Sequence, residues 1–375
     1  MALGEVYYHL PGIPNSDSLA TDAFNSALAS DSGFTPPIFH LAEIAIRAGD
    51  KRRAAFLINR FDEHDPSPLL AMELRLMFDC IDQGAGKFDW AQAAESNPRE
   101  VLLAGKSLSV AGSKLGCADG AFLAVLRTRS AAWHWSAVLG HHAVLAATGN
   151  ARALATFLDS IIAAGTAQQA MTLYLLDAAA GLAVADKARG IEAFGKQRWG
   201  PTYDGLRARP TTDWIQWMFG VWHATGGDST TLRAVQHALD SAARSGGRPT
   251  QRLYADALAA RVSLLARDTA GAITRLAALS YPVPPDSLDW ELAPTLAPER
   301  ALLSELLLAR HRFAEAHAVA TMLDHPGPLM CVVFLPRSLV VRYRAAVAAG
   351  RRDAANRYRQ RLADLGRQDL IATLQ

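Results

Sequence analysis

Three histidines lie close enough along the chain to suggest a metal site. His134, His141 and His142 fall within one apolar run of helical periodicity, and residues seven or eight positions apart can share a helix face. Imidazole nitrogens are common ligands of zinc. Because no carboxylate or cysteine accompanies the histidines at ligand spacing, the pattern favours polar residues near a helix interface. We therefore predict no metal site and no cofactor.

Three tryptophans form the second cluster with a possible binding role. Trp214, Trp217 and Trp222 belong to one predicted helix, and exposed tryptophans often dominate the binding energy of protein interfaces. Tryptophan is also common in the cores of helical proteins, where it fills wide gaps between helices. The sequence leaves both interpretations open and favours the core.

Sequence motifs of common catalytic sites are missing. The chain contains no G-x-S-x-G turn, no H-E-x-x-H pair and no G-x-G-x-x-G loop, which are typical of hydrolases, metalloproteases and dinucleotide-binding enzymes, respectively. We therefore expect that the protein is not an enzyme.

The cysteines and the apolar segments predict a cytoplasmic protein. Cys80, Cys117 and Cys331 form no C-x-x-C pair, so we expect buried free thiols in a reducing compartment. The first residues lack the charged and apolar regions of a signal peptide. The longest apolar stretch, 170–185, is interrupted by Asp177 and is short for a bilayer span, so we expect no membrane partner.

The charge distribution disfavours nucleic acid as a partner. The net charge of the chain is only +2. The segment 333–375 is rich in arginine, but no aromatic platform or known reading motif is interleaved with the arginines. A solvated helix face explains this segment better than a nucleic-acid site does.

Helical periodicity runs through almost the whole chain and predicts an all-α fold. Short glycine-containing turns separate the amphipathic runs, for example at Gly49, Gly149 and Gly350. Helices joined by such short turns must lie antiparallel to each other. We expect about nine or ten antiparallel helix pairs stacked as a right-handed α-solenoid.

A period of 34 residues identifies the kind of repeat that the chain resembles. Ala20, Phe24 and Ala27 recur at the same spacing as Ala54, Ile58 and Phe61, and a 34-residue helical period is typical of tetratricopeptide repeats. The chain resembles these repeats in three places, by the residues Leu3, Gly4, Tyr7, Ala20 and Phe24, then Ala42, Ala45, Gly49, Ala54, Ile58, Phe61 and Pro66, and finally Leu303, Ser304, Leu307, Phe313, Ala316, Ala320, Leu323 and Pro328.

The resemblance implies a function and a binding surface. The stretches 22–50 and 298–366 look like the C-terminal repeat arrays of bacterial signalling proteins, such as Ser/Thr kinases and regulators with a bacterial transcriptional activation domain. Such arrays bind partners in a concave groove lined by the first helix of each pair. By register, that groove would contain Phe39, Glu43, Arg47 and Glu305, and the tryptophans of the middle region could add an aromatic wall.

We thus expect four regions and one main function. The regions are N-terminal repeats at 1–82, degenerate helical repeats at 83–280, a proline-rich loop at 281–297, and C-terminal repeats with a capping helix at 298–375. The expected function is a non-catalytic scaffold or sensor that binds a protein or peptide in bacterial signalling or complex assembly. Two alternatives stay open: a regulator array that senses a small molecule or signalling peptide, and a helical enzyme with its site in the irregular middle.

Overall fold

The computed structural model describes most of the chain and contains only helices there. It describes residues 1–9, 16–64, 68–112, 114–164, 167–182, 213–279, 296–324 and 329–374. Twenty α-helices and two short 3-10 turns account for all regular structure in these ranges. The prediction of an all-α fold is confirmed.

Eight helices form the N-terminal stack, in which consecutive helices pack against each other except at α5, which packs against α7 rather than α6. Their bounds are α1 Ala2–His9, α2 Ser16–Ser30, α3 Thr35–Ala48, α4 Lys51–His64, α5 Pro68–Gln83, α6 Trp90–Ser96, α7 Pro98–Ser109 and α8 Leu115–Arg127. The sequence-based boundaries 36–48 and 51–63 therefore agree with α3 and α4 to within one residue.

Twelve further helices follow in the described part of the chain. Their bounds are α9 Ala131–Thr148, α10 Ala151–Ala163, α11 Ala167–Ala180, α12 Asp213–Thr225, α13 Ser229–Arg244, α14 Pro249–Leu265, α15 Thr269–Ala278, α16 Ala297–Ala309, α17 Phe313–Thr321, α18 Leu329–Ala348, α19 Arg352–Asp364 and α20 Gln368–Ile371. The sequence predicts a helix at 334–349, whereas α18 begins five residues earlier and continues through Pro336.

Local sequence signals explain where the helices start and stop. Gly49 ends α3 and Gly149 ends α9 with φ values of 77° and 68°, a backbone conformation that glycine adopts without steric cost. Asp228 and Asp268 cap α13 and α15 through side-chain oxygens that accept backbone N–H groups. Such caps satisfy donors that the first turn of a helix leaves without a partner.

The closed arrangement of the later helices was not expected from the sequence. Helices α9, α11 and α12 contact one another in order, α12 contacts α14, and α16 contacts α18. The Arg261–Glu299 ion pair joins α14 to α16. Helix α18 then packs against α9, so this series of helices, which we call the closed set, returns to its start. An open solenoid brings only neighbouring units together, and the α18–α9 contact departs from that prediction.

One cysteine prediction is wrong. Cys80 of α5 and Cys117 of α8 are joined by a disulfide across 37 residues of sequence, because α6 and α7 fold back and bring α8 against α5. Cys331 is a buried free thiol, as expected, and burial raises its pKa to about 12.

Parts of the predicted organisation fall outside the described residues. Almost all of the proline-rich segment 281–297 lies there, as do Pro66 and Pro328. The sequence also predicts a helix at 187–199, and this range lies outside the described residues as well. The described helices also bear on membrane insertion. In the described ranges, no helix is both long enough and apolar enough to span a membrane.

Candidate functional site

The strongest concentration of interacting polar side chains lies in the N-terminal stack. It is formed by the odd-numbered helices, which are the first helices of successive pairs. We call it the N-terminal network, and it consists of Glu5, Tyr8 and His9 of α1, His40, Glu43 and Arg47 of α3, Glu73 of α5 and Ser107 of α7.

Glu43 is the centre of the network and is buried, with an exposed fraction of 5%. Its Oε2 accepts hydrogen bonds from the Tyr8 hydroxyl at 2.8 Å and from His40 Nδ1 at 2.9 Å. Its Oε1 accepts the Ser107 hydroxyl at 2.9 Å. Burial alone would raise the pKa of Glu43, but the hydrogen bond and the charge of His40, together with the charge of Arg47, hold it below its usual value.

Helix α1 closes the outer side of the network. Glu5 lies 3.2 Å from His9 Nε2 and 3.2 Å from His40 Nε2. Burial opposes ionisation of Glu5, but the hydrogen bonds to His40 and His9 lower its pKa to about 2. Burial also disfavours the charged form of His40, whereas its bonds to Glu43 and Glu5 raise its pKa to about 9. His40 is therefore an imidazolium between two carboxylates at neutral pH.

Arg47 links α3 to both helices of the first pair. Its Nη1 donates to the Tyr8 hydroxyl at 2.6 Å, and its Nη2 lies 3.6 Å from the Asp17 carboxylate of α2. The guanidinium also lies over the Tyr8 ring, 5.1 Å from the centroid. Hence Arg47 helps to hold α1 and α2 in register with α3.

Glu73 forms the inner end of the network, and its pKa is shifted in the opposite direction to that of Glu43. Burial and the nearby Glu43 charge raise the pKa of Glu73 to about 8. Ser107 Oγ lies 3.3 Å from Glu73 Oε1, but its single proton is already donated to Glu43. A protonated Glu73 supplies the proton for this contact, so the network holds a neutral carboxylic acid beside a carboxylate.

The residues predicted for the groove lie in different surroundings. Glu43 and Arg47 are members of the network, and their side chains are almost fully buried. Phe39 is partly buried and contacts Phe61 at a ring-centroid distance of 5.9 Å. Glu305 of α16 is partly exposed and accepts two hydrogen bonds from Arg337 of α18.

The three tryptophans share α12 but not the same environment. Trp217 is completely buried, stacks on Tyr254 at 4.8 Å, and donates its Nε1–H to Glu299 at 3.2 Å. Trp214 and Trp222 are partly buried against the core. The contacts of Trp217 are those expected for a core residue.

The predicted histidine cluster divides between two sides of α9. His141 contacts Asp119 of α8 at 2.5 Å and borders an open depression of about 510 Å³ between α9 and α10. His142 is fully buried and bonds to Asp177 of α11 at 2.7 Å. The two side chains thus point to different partners, and neither belongs to the one group of potential metal ligands in the described residues.

Several C-terminal arginines pair with carboxylates of the chain itself. Arg342 and Arg361 both bind Asp324. Burial opposes the charge of Asp324, but the two guanidinium groups lower its pKa to about 2. Arg367 pairs with Asp369. These arginines stabilise the C-terminal helices and are less available to an external polyanion.

Sequence reasoning identified Glu43 and Arg47 but missed most of the network. Tyr8, His40 and Glu73 are far apart in sequence and match no catalytic or metal-binding motif. The one feature of the sequence that could have related these residues is the 34-residue repeat. It places residues 39 and 73 at equivalent turns of α3 and α5, the first helices of successive pairs. No protein-family model matches the chain, and no curated protein shows significant similarity to it.

Proposed function

We propose that this protein is a non-catalytic module that binds a protein or peptide partner on its N-terminal stack. The observation that carries the proposal is that exposed apolar residues stand at the starts of α1, α3 and α5. We call these residues, Leu3, Phe34, Leu69 and Leu70, the apolar edge. The proposed setting is the one implied by the tetratricopeptide resemblance, which is bacterial signalling or complex assembly.

The exposed apolar side chains are concentrated in this stack. Of the eight large hydrophobic residues that are exposed in the described chain, six lie within the first 70 of the 375 residues. Four of them form the apolar edge, with exposed fractions between 37% and 55%. Clustered exposed apolar groups are typical of interaction surfaces, whereas single ones are common everywhere.

The direction of the helices brings the edge residues together. Glu5 contacts His40 and Tyr8 contacts Glu43, so residue number increases in the same direction along α1 and α3. Helices joined by short connections are expected to be antiparallel, and we infer that α5 runs parallel to α3. Leu3, Phe34 and Leu69 stand at the starts of α1, α3 and α5, and this direction would place the three starts on the same side of the stack.

The N-terminal network adjoins this edge and supplies a polar border. Glu5 and His9 are partly exposed, whereas Glu43 and Arg47 are held behind them. An apolar contact region with a polar rim is the usual composition of a protein interface. The network therefore positions the surface charges of α1 and keeps the first helices rigid for binding.

The disulfide bears on the compartment in which binding takes place. The sequence predicts a cytoplasmic protein, but the Cys80–Cys117 bond favours an oxidising compartment. Alkylation of the free thiols in the source cell, followed by mass spectrometry of the purified protein to count the alkylated cysteines, distinguishes the two compartments. One free thiol per chain supports the oxidising setting, and three support the cytoplasm.

The proposal is tested by comparing equally exposed apolar residues inside and outside the edge. Partners captured from the source cell would be identified and purified, and their affinity for Phe34→Ser and Leu69→Ser variants measured. We expect each variant to lose affinity by roughly 1 kcal/mol or more. Leu265→Ser and Val347→Ser are matched controls elsewhere on the surface and should bind normally. Equal affinity of all four variants would refute the proposal.

A second candidate function is a small-molecule or catalytic site inside the closed set. It is favoured by the His142–Asp177 pair, in which His142 Nδ1 and Asp177 Oδ2 are buried and have no hydrogen-bond partner among the described residues. A ligand that raises the melting temperature of the parent protein but not of an Asp177→Asn variant would support this candidate. Stabilisation of both proteins alike would count against it.

A further inference from the structure

Helices α1 and α3 bring three potential metal ligands together. Glu5 and His9 are one helical turn apart on α1, and His40 of α3 faces them. One ligand atom from each residue lies within 4.8 Å of the other two. In the described part of the chain, this is the one such group of three.

The spacing of the ligand atoms suits a tetrahedral ion. Zinc binds imidazole nitrogen and carboxylate oxygen at about 2.0–2.2 Å, which places tetrahedral ligand atoms roughly 3.3–3.6 Å apart. Oε2 of Glu5 lies 3.2 Å from Nε2 of His9, and Oε1 of Glu5 lies 3.2 Å from Nε2 of His40. The three ligand atoms lie within 4.8 Å of one another, so the side chains must move closer together around a bound ion.

His40 is held in the orientation that a metal ligand requires. Its Nδ1 donates to the buried Glu43 at 2.9 Å, and its Nε2 therefore faces the other two residues. Glu43 is itself fixed by Tyr8 and Ser107. A carboxylate that binds the far nitrogen of a histidine is the usual outer support of a metal-bound imidazole.

Packing fixes the ring of His40 as well. Phe24 of α2 stacks on it at a centroid distance of 5.2 Å, and Tyr8 contacts it at 4.5 Å. Gly4 allows α1 to approach Phe24 closely, since a Cβ at this position would lie 2.4 Å from the Phe24 ring. The same packing that joins the first pair of helices to the second thus places His40 beside Glu5 and His9.

We propose that Glu5, His9 and His40 bind a divalent transition-metal ion, zinc foremost, and that the ion displaces the proton from Nε2 of His40 to solvent. Two imidazoles and one carboxylate are a donor set that zinc prefers, whereas calcium and magnesium prefer oxygen ligands. Each of the three residues is partly exposed, so the fourth coordination position faces solvent. Water or a partner's side chain can occupy that position, and the site goes beyond the partner-binding function proposed above.

The test is a titration of the full chain with metal alone, after treatment with EDTA and dialysis. Zinc binding would be measured by calorimetry, and cobalt would report the coordination geometry through its visible absorption. We expect one ion per chain and a tetrahedral cobalt spectrum. The His9→Ala variant, whose side chain lies at the surface, should lose affinity by more than about tenfold. His64→Ala removes an exposed histidine from α4 and should leave the affinity unchanged.

A second variant tests the residue that supports His40 without removing any of the three metal ligands. Glu43→Gln leaves all three ligands in place but removes the negative charge behind His40, and we expect it to weaken zinc binding by about 10–100-fold. Circular dichroism would show whether each variant remains helical. The proposal is overturned if the folded parent chain binds no zinc, or if His9→Ala binds cobalt with the parent's affinity and spectrum.

Discussion

At the residue scale, the N-terminal network combines groups whose charges depend on one another. Glu43 is ionised because His40 and Arg47 are close to it. Glu73 keeps its proton because burial disfavours its charged form and because the nearby Glu43 is ionised. Exchange of one member therefore alters the charge of its neighbours. This coupling distinguishes the network from isolated surface ion pairs, which contribute little to stability.

The raised pKa of Glu73 predicts that the protein loses stability as the pH rises. The unfolded chain releases this proton near pH 4.5, whereas the folded chain keeps it up to about pH 8. Between these values the folded state binds more protons, so the free energy of unfolding decreases by up to about 1.4 kcal/mol per pH unit. A Glu73→Gln variant lacks the titrating group and should lack this part of the decrease.

Denaturant unfolding of both proteins across this pH range measures the effect. The difference between Glu73→Gln and the parent should grow in favour of the variant as the pH increases. Glu95→Gln changes an exposed glutamate of α6 and should follow the parent at every pH. A constant difference between Glu73→Gln and the parent would show that Glu73 ionises normally in the folded protein.

At the scale of elements, glycine decides how closely some helices approach. Gly140 of α9 and Gly105 of α7 face the Phe122 ring of α8 from two sides. A Cβ at position 140 would lie 2.5 Å from ring atoms of Phe122, which is completely buried. The ring has no free space into which it can move, because protein interiors are closely packed.

We expect Gly140→Ala to destabilise the protein by about 1–3 kcal/mol through overpacking. Gly86→Ala is the matched control, because a Cβ at position 86 has no atom within 4 Å. Thermal unfolding of the two variants provides the measurement. Equal melting temperatures for Gly140→Ala and the parent would mean that α8 and α9 lie further apart than described.

The helices themselves were largely predictable, and their long-range contacts were not. Boundaries at Gly49 and Gly149 followed from the chemistry of helix termination, which is local in sequence. His40 and Glu73 carry no local pattern that marks them as partners of Tyr8 or Ser107. Their interaction arises only when four helix pairs stack. The 34-residue repeat is the one feature of the sequence that indicates how these pairs are aligned.

At the scale of the whole molecule, two contacts change the expected open array. The disulfide joins α5 to α8 within the N-terminal stack, and α18 returns to α9 in the closed set. Arg337 of α18 also binds the backbone oxygen of Ala179 at 3.1 Å, across 158 residues of sequence. No periodic pattern predicts such contacts, because they depend on the summed rotation of many helix pairs.

Loss of the disulfide should lower stability substantially. A crosslink between residues 37 positions apart restricts the unfolded chain and is expected to contribute about 3–4 kcal/mol. The Cys80→Ser variant should unfold at lower denaturant concentration than the parent. Cys331→Ser changes the buried free thiol and is the control for the loss of a buried sulfur. If both variants lose the same stability, the crosslink contributes no more than a buried sulfur does.

The central claim is that the N-terminal stack is the binding surface of this protein. Amide hydrogen exchange of the full chain, measured with and without a captured and purified partner, tests it most directly. The account predicts slower exchange at the starts of α1, α3 and α5, around Leu3, Phe34 and Leu69, with little change in α12–α19. Protection confined to α12–α19, with none in the first 83 residues, would contradict it.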